Sequence, residues 1–76
     1  MSGAPFWQTY RLRFIDFLLA HYGTINRVQL TDYFGISVAQ AALDLTSYQA
    51  IAPGNMEYDR SAKTYRRTPE FERMYP

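Results

Sequence analysis

Two polar motifs give this sequence its clearest local chemistry, and each marks the start of a helix. Ser37 and Gln40 are predicted to form a Ser-x-x-Gln capping box, in which the Ser37 hydroxyl accepts from the Gln40 amide and the Gln40 side chain accepts from the Ser37 amide. Asn26 and Gln29 repeat the pattern one helix earlier. The first turn of a capped helix presents free N–H groups and the positive end of the helix dipole, which favour a phosphate. These residues therefore predict anion binding and hydrogen bonding rather than covalent catalysis.

Positive charge is predicted to form a local patch late in the chain. Every charged residue between positions 29 and 59 is acidic, and the next four are Arg60, Lys63, Arg66 and Arg67. The formal net charge is only +1, which is low for a self-sufficient nucleic-acid-binding domain. An anionic partner is therefore expected to meet this segment, although Arg66 and Arg67 have the simpler alternative of keeping an edge strand soluble.

Residue types suited to catalysis or metal binding are scarce. Cysteine is absent, and the single histidine, His21, is expected at a helix end, where it interacts with terminal carbonyl groups. Asp16, Asp32 and Asp44 are distributed over three predicted helices, and no glycine-rich phosphate loop accompanies them. We therefore predict no enzyme, no metal site and no cofactor. The lack of cysteine, of a signal peptide and of a membrane-spanning run favours a cytoplasmic location.

The first predicted helix covers about 6–21, after a flexible start at 1–5 in which Pro5 suits a first helical turn. Its apolar stripe is expected to face the core and consists of Trp7, Tyr10, Phe14, Phe17, Leu18 and Tyr22. Phe6 and Trp7 are assigned to the core, with a dimer contact as the alternative if they are exposed.

A second helix at about 27–34 and a third at about 38–52 follow, separated by a turn at Gly35. Glycine suits the left-handed conformation that ends a helix. The second helix is expected to bury some combination of Val28, Leu30, Tyr33 and Phe34. The third is expected to bury Ala41, Leu45, Tyr48 and Ala52, and its opposite face carries Ala39, Gln40, Leu43, Ser47 and Ala50. Two capped helices joined by about three residues form a helix-turn-helix, whose second helix enters the major groove of DNA.

A β-hairpin is predicted at 56–66, around a polar turn at 59–62. Its two tyrosines, Tyr58 and Tyr65, are assigned to packing rather than to base stacking, and Thr24–Ile25 is expected to add a third short strand. The predicted fold is therefore α+β, mainly α: a winged helix-turn-helix of three helices with a C-terminal β-hairpin wing. This domain is expected at 6–67, and 68–76 is expected to be a linker or a short C-terminal extension.

Several short motifs together resemble a known family. They are Tyr22-Gly23-x-Ile25-Asn26-Arg27, Phe34-Gly35-Ile36-Ser37, Gln40-Ala41, Asp44-Leu45, Tyr48 and Tyr58-Asp59-x-x-x-Lys63-x-Tyr65. In them the chain is similar to the N-terminal winged helix-turn-helix domain of bacterial WYL-domain transcriptional repressors of the CapW and BrxR type, which control phage-defence operons, and more distantly to DeoR-type regulators. The resemblance implies a homodimeric full-length repressor that binds double-stranded DNA at a palindromic operator. It also implies a WYL sensor domain, missing from this chain, that binds the effector ligand.

The predicted DNA contacts lie in the helix-turn-helix and the wing. They are Arg27, Ser37, Val38, Ala39, Gln40, Leu43, Ser47, Arg60, Ser61 and Lys63. Gln40 is suited to N6 and N7 of adenine, although capping competes for its side chain. Asp44 is assigned to a salt bridge with Arg27 or Arg11 that orients the helices. The alternative function is a winged-helix protein interaction or dimerisation module without DNA binding.

Overall fold

In the computed structural model, which describes residues 4–76, the chain forms three helices and a three-stranded antiparallel sheet. The elements in chain order are α1 (Ala4–Tyr22), β1 (Thr24–Ile25), α2 (Arg27–Phe34), α3 (Val38–Ile51), β2 (Met56–Asp59) and β3 (Thr64–Arg67). This order confirms the predicted winged-helix architecture. Helix α1 begins earlier than predicted, so Ala4 and Pro5 belong to the helix. The flexible start predicted at 1–5 is therefore wrong for residues 4 and 5, and its residues 1–3 lie outside the described residues.

The helix-turn-helix is shaped by caps that the sequence encodes. Asn26 accepts from the amide of Val28 at 3.0 Å, and its own amide donates to Gln29 Oε1 at 2.6 Å, which confirms this capping box. Helix α2 ends where Gly35 adopts a φ of 67°, a left-handed conformation that a side chain would strain. Ser37 then begins α3 by accepting from a first-turn amide at 3.0 Å. These caps set the short turn between α2 and α3.

The wing is the hairpin of β2 and β3, and β3 also pairs with β1 to give the order β1-β3-β2. This pairing confirms Thr24–Ile25 as a third strand, with Ile25 opposite Tyr65. The rings of Tyr58 and Tyr65 contact each other with centroids 5.0 Å apart, as expected for packing within the wing. Two strands alone are barely stable in water, so pairing with β1 stabilises the hairpin. Because β1 directly precedes α2, this pairing also attaches the wing to the start of α2.

The loop at the tip of the wing spans residues 60–63, one position later than the predicted turn at 59–62, because Asp59 belongs to β2. Asp59 Oδ1 accepts from the amide of Ser61 at 2.9 Å and so shapes the loop. Lys63 ends the loop with a φ of 54°, a left-handed conformation that is uncommon for a residue with a side chain. The loop therefore has a defined conformation that sets where its cations lie.

The core lies between the helices and the sheet. Its buried apolar residues are Leu12, Ile15, Leu19, Ile25, Leu30, Ala41, Leu45, Tyr48, Ala52 and Met56. The predicted core face of α3 is confirmed, since all four of its members are buried. In α2 only Leu30 is fully buried, whereas Val28 and Tyr33 are exposed.

The predicted core stripe of α1 is wrong at four of its six positions, and only Phe14 and Leu18 pack against the core. The exposed residues of this helix include Phe6, Trp7, Tyr10, Phe17 and Tyr22. Leu12, Ile15 and Leu19 are buried in their place. Apolar residues occupy so many positions of α1 that two stripes of helical spacing overlap, and periodicity alone does not choose between them.

Residues 68–76, predicted to be a linker or a short extension, lie against α1. Asp16 of α1 is fully buried and accepts from two main-chain amides of this segment, both at 3.0 Å, and from Arg73 Nε at 2.8 Å. Tyr48 of α3 donates its hydroxyl to the same carboxylate at 2.5 Å. Burial raises the pKa of Asp16, but these hydrogen bonds lower it by more, so the pKa lies below its usual value. Asn55 Nδ2 donates to the Tyr48 hydroxyl at 3.0 Å and to the Glu72 carbonyl at 2.7 Å. We call Asp16, Tyr48, Asn55 and residues 72–75 the Asp16 network.

Candidate nucleic-acid interface

The side chains on the solvent-facing side of α3 are mostly small and apolar. These residues recur at helical spacing and are Ala39, Leu43, Thr46 and Ala50. All four are exposed, and Leu43 leaves 59% of its surface open. Thr46 is the member that sequence analysis missed, although its place about one turn after Leu43 and two after Ala39 is the signal that could have found it. Small side chains here allow the helix backbone to approach the edges of base pairs.

Two residues predicted on this outer face, Gln40 and Ser47, lie on the flank of α3 that faces α1. Ser47 Oγ accepts from Gln8 Nε2 at 3.2 Å. Gln40 Nε2 donates to Asp44 Oδ1 at 3.0 Å, so this side chain does not return to the Ser37 amide. The reciprocal half of this predicted capping box is therefore wrong, because a carboxylate one turn along the helix binds the Gln40 amide instead.

A buried ion pair joins the same flank to α1. Asp44 has no exposed surface and accepts from Arg11 Nε at 2.5 Å and from Arg11 Nη2 at 3.3 Å. Arg11, and not Arg27, is thus the partner of Asp44. The Arg11 side chain is only 13% exposed, so salt screens the pair weakly. The pair neutralises the one carboxylate of α3 and holds α3 in a fixed orientation on α1.

A groove of about 270 Å³ lies between α3 and the wing. Its lining residues are Asn26, Arg27, Ala42, Leu45, Thr46, Tyr58, Lys63 and Tyr65. Arg27, at the start of α2, and Lys63, in the wing loop, bring two positive charges to this groove, and none of the described residues along it is acidic. Thr46 belongs both to the groove and to the outer face of α3. The structure therefore places two predicted cations beside the helix that carries most of the other predicted contacts.

Two cations of the predicted patch are engaged within the domain. Arg66 pairs with Asp59 at 2.7 Å, and Arg67 Nη1 donates to a carbonyl of the last turn of α1 at 2.7 Å. His21 was predicted to meet those carbonyl groups, but its ring contacts Phe17. The longer side chain of Arg67 reaches the helix end from β3, which the sequence order does not reveal.

Other cations are left without an ionic or carbonyl partner within residues 4–76. They are Arg13, Arg27, Arg60 and Lys63. Arg13 lies on α1, 5.7 Å from the centroid of the Tyr75 ring. The other three belong to the start of α2 and the wing loop, where Ser61 is also exposed. Most of the unpaired positive charge therefore lies beside the groove between α3 and the wing.

The start of α3 adds hydrogen-bond donors to this surface. Ser37, Val38 and Ala39 are all exposed. The N–H groups of Val38 and Ala39 have no partner within the helix because they belong to its first turn. This end of α3 also carries the positive pole of the helix dipole, so it suits an anionic group.

Residues 8–76 match the family described as the BrxR transcriptional regulator winged helix-turn-helix domain. The chain belongs to this family. The match confirms the resemblance to the CapW and BrxR group and the winged-helix fold class. Within the BrxR domain, α2 and α3 form the helix-turn-helix and β2 with β3 forms the wing. No helix in the part of the chain that the structure describes has the length and hydropathy needed to cross a membrane.

The relatives that match this domain are longer proteins. A protein named DNA-binding transcriptional repressor CapW from Escherichia coli strain KTE188 is 53% identical over 74 residues, which cover 97% of this chain and 25% of the relative. Proteins of the same name from Pseudomonas aeruginosa and Stenotrophomonas maltophilia are 51% identical over 75 residues and 46% identical over 65 residues, covering 99% and 86% of this chain and 25% and 22% of their own. The chain therefore spans about a quarter of the length of the relatives it matches.

Proposed function

We propose that this domain binds duplex DNA in a sequence-specific manner, as the N-terminal domain of a bacterial transcriptional repressor. In the proposed complex α3, at 38–51, enters the major groove, and the wing, at 56–67, lies on the DNA backbone. The main support for this proposal is the groove beside α3, which is lined by Arg27, Lys63 and Thr46 and by no described acidic residue. Backbone contacts from the two cations fix the register in which α3 reads bases.

The proposed base contacts come from the outer face of α3 and its first turns. Ala39 and Leu43 suit the methyl group of thymine, and Gln40 offers the donor and acceptor that match N7 and N6 of adenine. Thr46 adds a hydroxyl beside them. Ser47 is the weakest of these proposed contacts, because Gln8 already donates to its hydroxyl.

The proposed phosphate contacts lie on both sides of α3. Arg27 and Lys63 bind the backbone along the groove, and Arg60 with Ser61 extends this contact from the wing loop. At the first turn of α3, the Ser37 hydroxyl and the free amides of residues 37–39 donate hydrogen bonds to a second phosphate. The buried ion pair of Arg11 removes the charge of Asp44, which would otherwise repel the backbone.

For the whole protein we propose a cytoplasmic, non-catalytic homodimer that binds a palindromic operator and takes its effector ligand outside this domain. The repressor role is supported by relatives that are named DNA-binding transcriptional repressors. The proposed dimer is supported by Phe6, Trp7 and Tyr10, whose exposed rings contact one another with centroids 4.8–6.0 Å apart. A cluster of exposed rings on α1 suits a contact between protein surfaces.

The proposal is tested by measuring binding of this chain to nonspecific duplex DNA at increasing salt. Each phosphate contact contributes about 0.9 to the slope of log affinity against log salt, so loss of one contact lowers the slope by about that amount. With three phosphate contacts, from Arg27, Arg60 and Lys63, raising the salt concentration from roughly 50 to 200 mM is expected to weaken binding about 40-fold. Arg27→Ala and Lys63→Asn are each expected to lower the slope by about 0.9, and asparagine tolerates the left-handed backbone at position 63.

Arg13→Ala is the matched control, because it removes the same charge from α1, where Arg13 lines a separate hollow with Phe6 and Tyr10. Its slope is expected to equal that of the unmodified chain. Binding that is insensitive to salt, or an equal change in all three variants, would contradict the proposed interface.

A further inference from the structure

We propose that the Arg11–Asp44 ion pair is a positioning device for Gln40, which makes α3 prefer adenine over guanine at the base that Gln40 meets. This inference rests on the proposed function, since it concerns how the same helix reads DNA. It assigns to Arg11, a residue of α1, an effect on base preference that it exerts through two side chains of α3.

The geometry of the three side chains forms a continuous chain of hydrogen bonds. Arg11 Nε donates to Asp44 Oδ2 at 2.5 Å, and Arg11 Nη2 donates to Oδ1 at 3.3 Å. Gln40 Nε2 donates to the same Oδ1 at 3.0 Å. Asp44 is fully buried and held from α1, so its Oδ1 is a fixed acceptor beside the first turns of α3.

The chemistry of the carboxylate decides which way the Gln40 amide turns. An ionised carboxylate can only accept hydrogen bonds, whereas a glutamine amide has both an NH₂ donor and a carbonyl acceptor. The NH₂ group of Gln40 must therefore face Asp44, and Oε1 must face away from it. One N–H is consumed by Asp44, which leaves one N–H and the carbonyl oxygen of Gln40 for a ligand.

The N–H and the carbonyl oxygen that remain free on Gln40 distinguish adenine from guanine. Adenine presents an acceptor at N7 and a donor at N6, which match one N–H and one carbonyl. Guanine presents acceptors at both N7 and O6, and a glutamine satisfies both only by offering two N–H groups. With one N–H held by Asp44, Gln40 would set its carbonyl against a guanine acceptor. The ion pair thus disfavours guanine by fixing the orientation of the Gln40 amide.

Asp44→Asn tests this inference with nearly unchanged shape. The introduced amide has one carbonyl, which the guanidinium of Arg11 takes because that group only donates. Its NH₂ then faces Gln40, which must turn its carbonyl inward and both N–H groups outward. We expect the preference for adenine over guanine, about tenfold or more in the unmodified chain, to fall below about twofold or to reverse.

The measurement is selection of bound sequences from randomised duplexes, followed by binding to matched duplexes that differ at the selected position. Gln8→Ala is the matched control, because it breaks the contact with Ser47 between α1 and α3 from the α1 side and does not touch Gln40. It should keep the adenine preference. Should Asp44→Asn fail to fold, the double substitution Arg11→Leu/Asp44→Leu replaces the buried pair with apolar side chains, a change that folded proteins often tolerate, and is expected to lose the adenine preference.

Three outcomes overturn the inference. Folded variants that keep the full adenine preference show that the ion pair does not act through Gln40. A Gln40→Ala variant with unchanged base preference shows that Gln40 reads no base, while salt-dependent binding still supports the proposed DNA interface. Absence of any duplex binding by the unmodified chain removes the proposed function as well.

Discussion

Tyr48→Phe is predicted to lower the free energy of unfolding by about 2 kcal/mol. The hydroxyl of Tyr48 donates to Asp16 at 2.5 Å and accepts from Asn55 Nδ2 at 3.0 Å, in a residue with no exposed surface. A hydrogen bond to a charged group contributes about 1.5–3 kcal/mol, and one between neutral groups about 0.5–1.5 kcal/mol. Both bonds are lost in the variant, while the phenyl ring still fills its space in the core.

The expected loss lies near the lower end of that sum because neither partner is left alone. Asp16 keeps its hydrogen bonds from Arg73 and from two main-chain amides, and Asn55 Nδ2 keeps the carbonyl of Glu72 at 2.7 Å. The penalty for a buried polar group without a partner therefore does not arise. Since domains of this size have about 4–11 kcal/mol of total stability, a loss of about 2 kcal/mol is a large fraction.

Urea denaturation monitored by circular dichroism measures this loss, and thermal unfolding should show a melting temperature lower by about 8–16 °C. Tyr58→Phe is the matched control, because the Tyr58 side chain is half exposed and its hydroxyl makes no hydrogen bond within the described residues. A loss below about 0.5 kcal/mol for Tyr48→Phe, equal to that of the control, would refute the view that the Asp16 network stabilises the fold.

Two further measurements address the Asp16 network and the wing loop. Burial raises the pKa of Asp16 but its hydrogen bonds, that from Tyr48 foremost, lower it below the ordinary 3.8, so its stabilising effect is complete above that value and is lost as pH falls through the folded pKa. Denaturation between about pH 7 and pH 2 should show stability falling below about pH 4, and constant or rising stability there would contradict the sign. Lys63→Gly is expected to raise the free energy of unfolding by about 0.5–1 kcal/mol, because a left-handed residue costs about 1–2 kcal/mol and the flexibility of glycine offsets about half. Equilibrium denaturation checks this gain, and a loss of stability would mean that the Lys63 side chain makes a favourable contact.

The parts of the fold that the sequence predicted well depend on neighbouring residues. The Asn26 box, the left-handed Gly35 and the Ser37 cap each involve partners within four positions, so their chemistry is visible in the chain itself. The core face of α3 was equally clear, since Ala41, Leu45, Tyr48 and Ala52 recur at helical spacing.

The parts that were missed depend on long-range packing or on competition between partners. Helix α1 is apolar on most of its surface, so only its contacts with α3 and β1 determine that Leu12, Ile15 and Leu19 are buried. Arg67 reaches the end of α1 through the register of β3, which no local pattern reveals. Gln40 had two possible partners at short range, and the buried charge of Asp44 decided between them.

The convergence of Arg27 and Lys63 on one groove could not be predicted from the sequence, because it depends on how the wing attaches to the helices. That attachment is made by β1, whose pairing with β3 places the wing loop beside the start of α2. The sequence therefore supplied the candidate cations, and the tertiary structure selected which of them remain unpaired beside α3.

Two buried carboxylates connect the position of α3 to the rest of the domain. Asp44 connects α3 to α1 through its ion pair with Arg11. Tyr48 connects α3 to Asp16, which in turn binds the segment at 72–75. Within the described residues, no buried side-chain nitrogen or oxygen is without a hydrogen-bond partner. Because a buried polar group loses its partner if α3 shifts, these networks favour one orientation of the helix more sharply than apolar packing alone. A helix held in this way can place small side chains reproducibly against base edges, which is what reading a sequence requires.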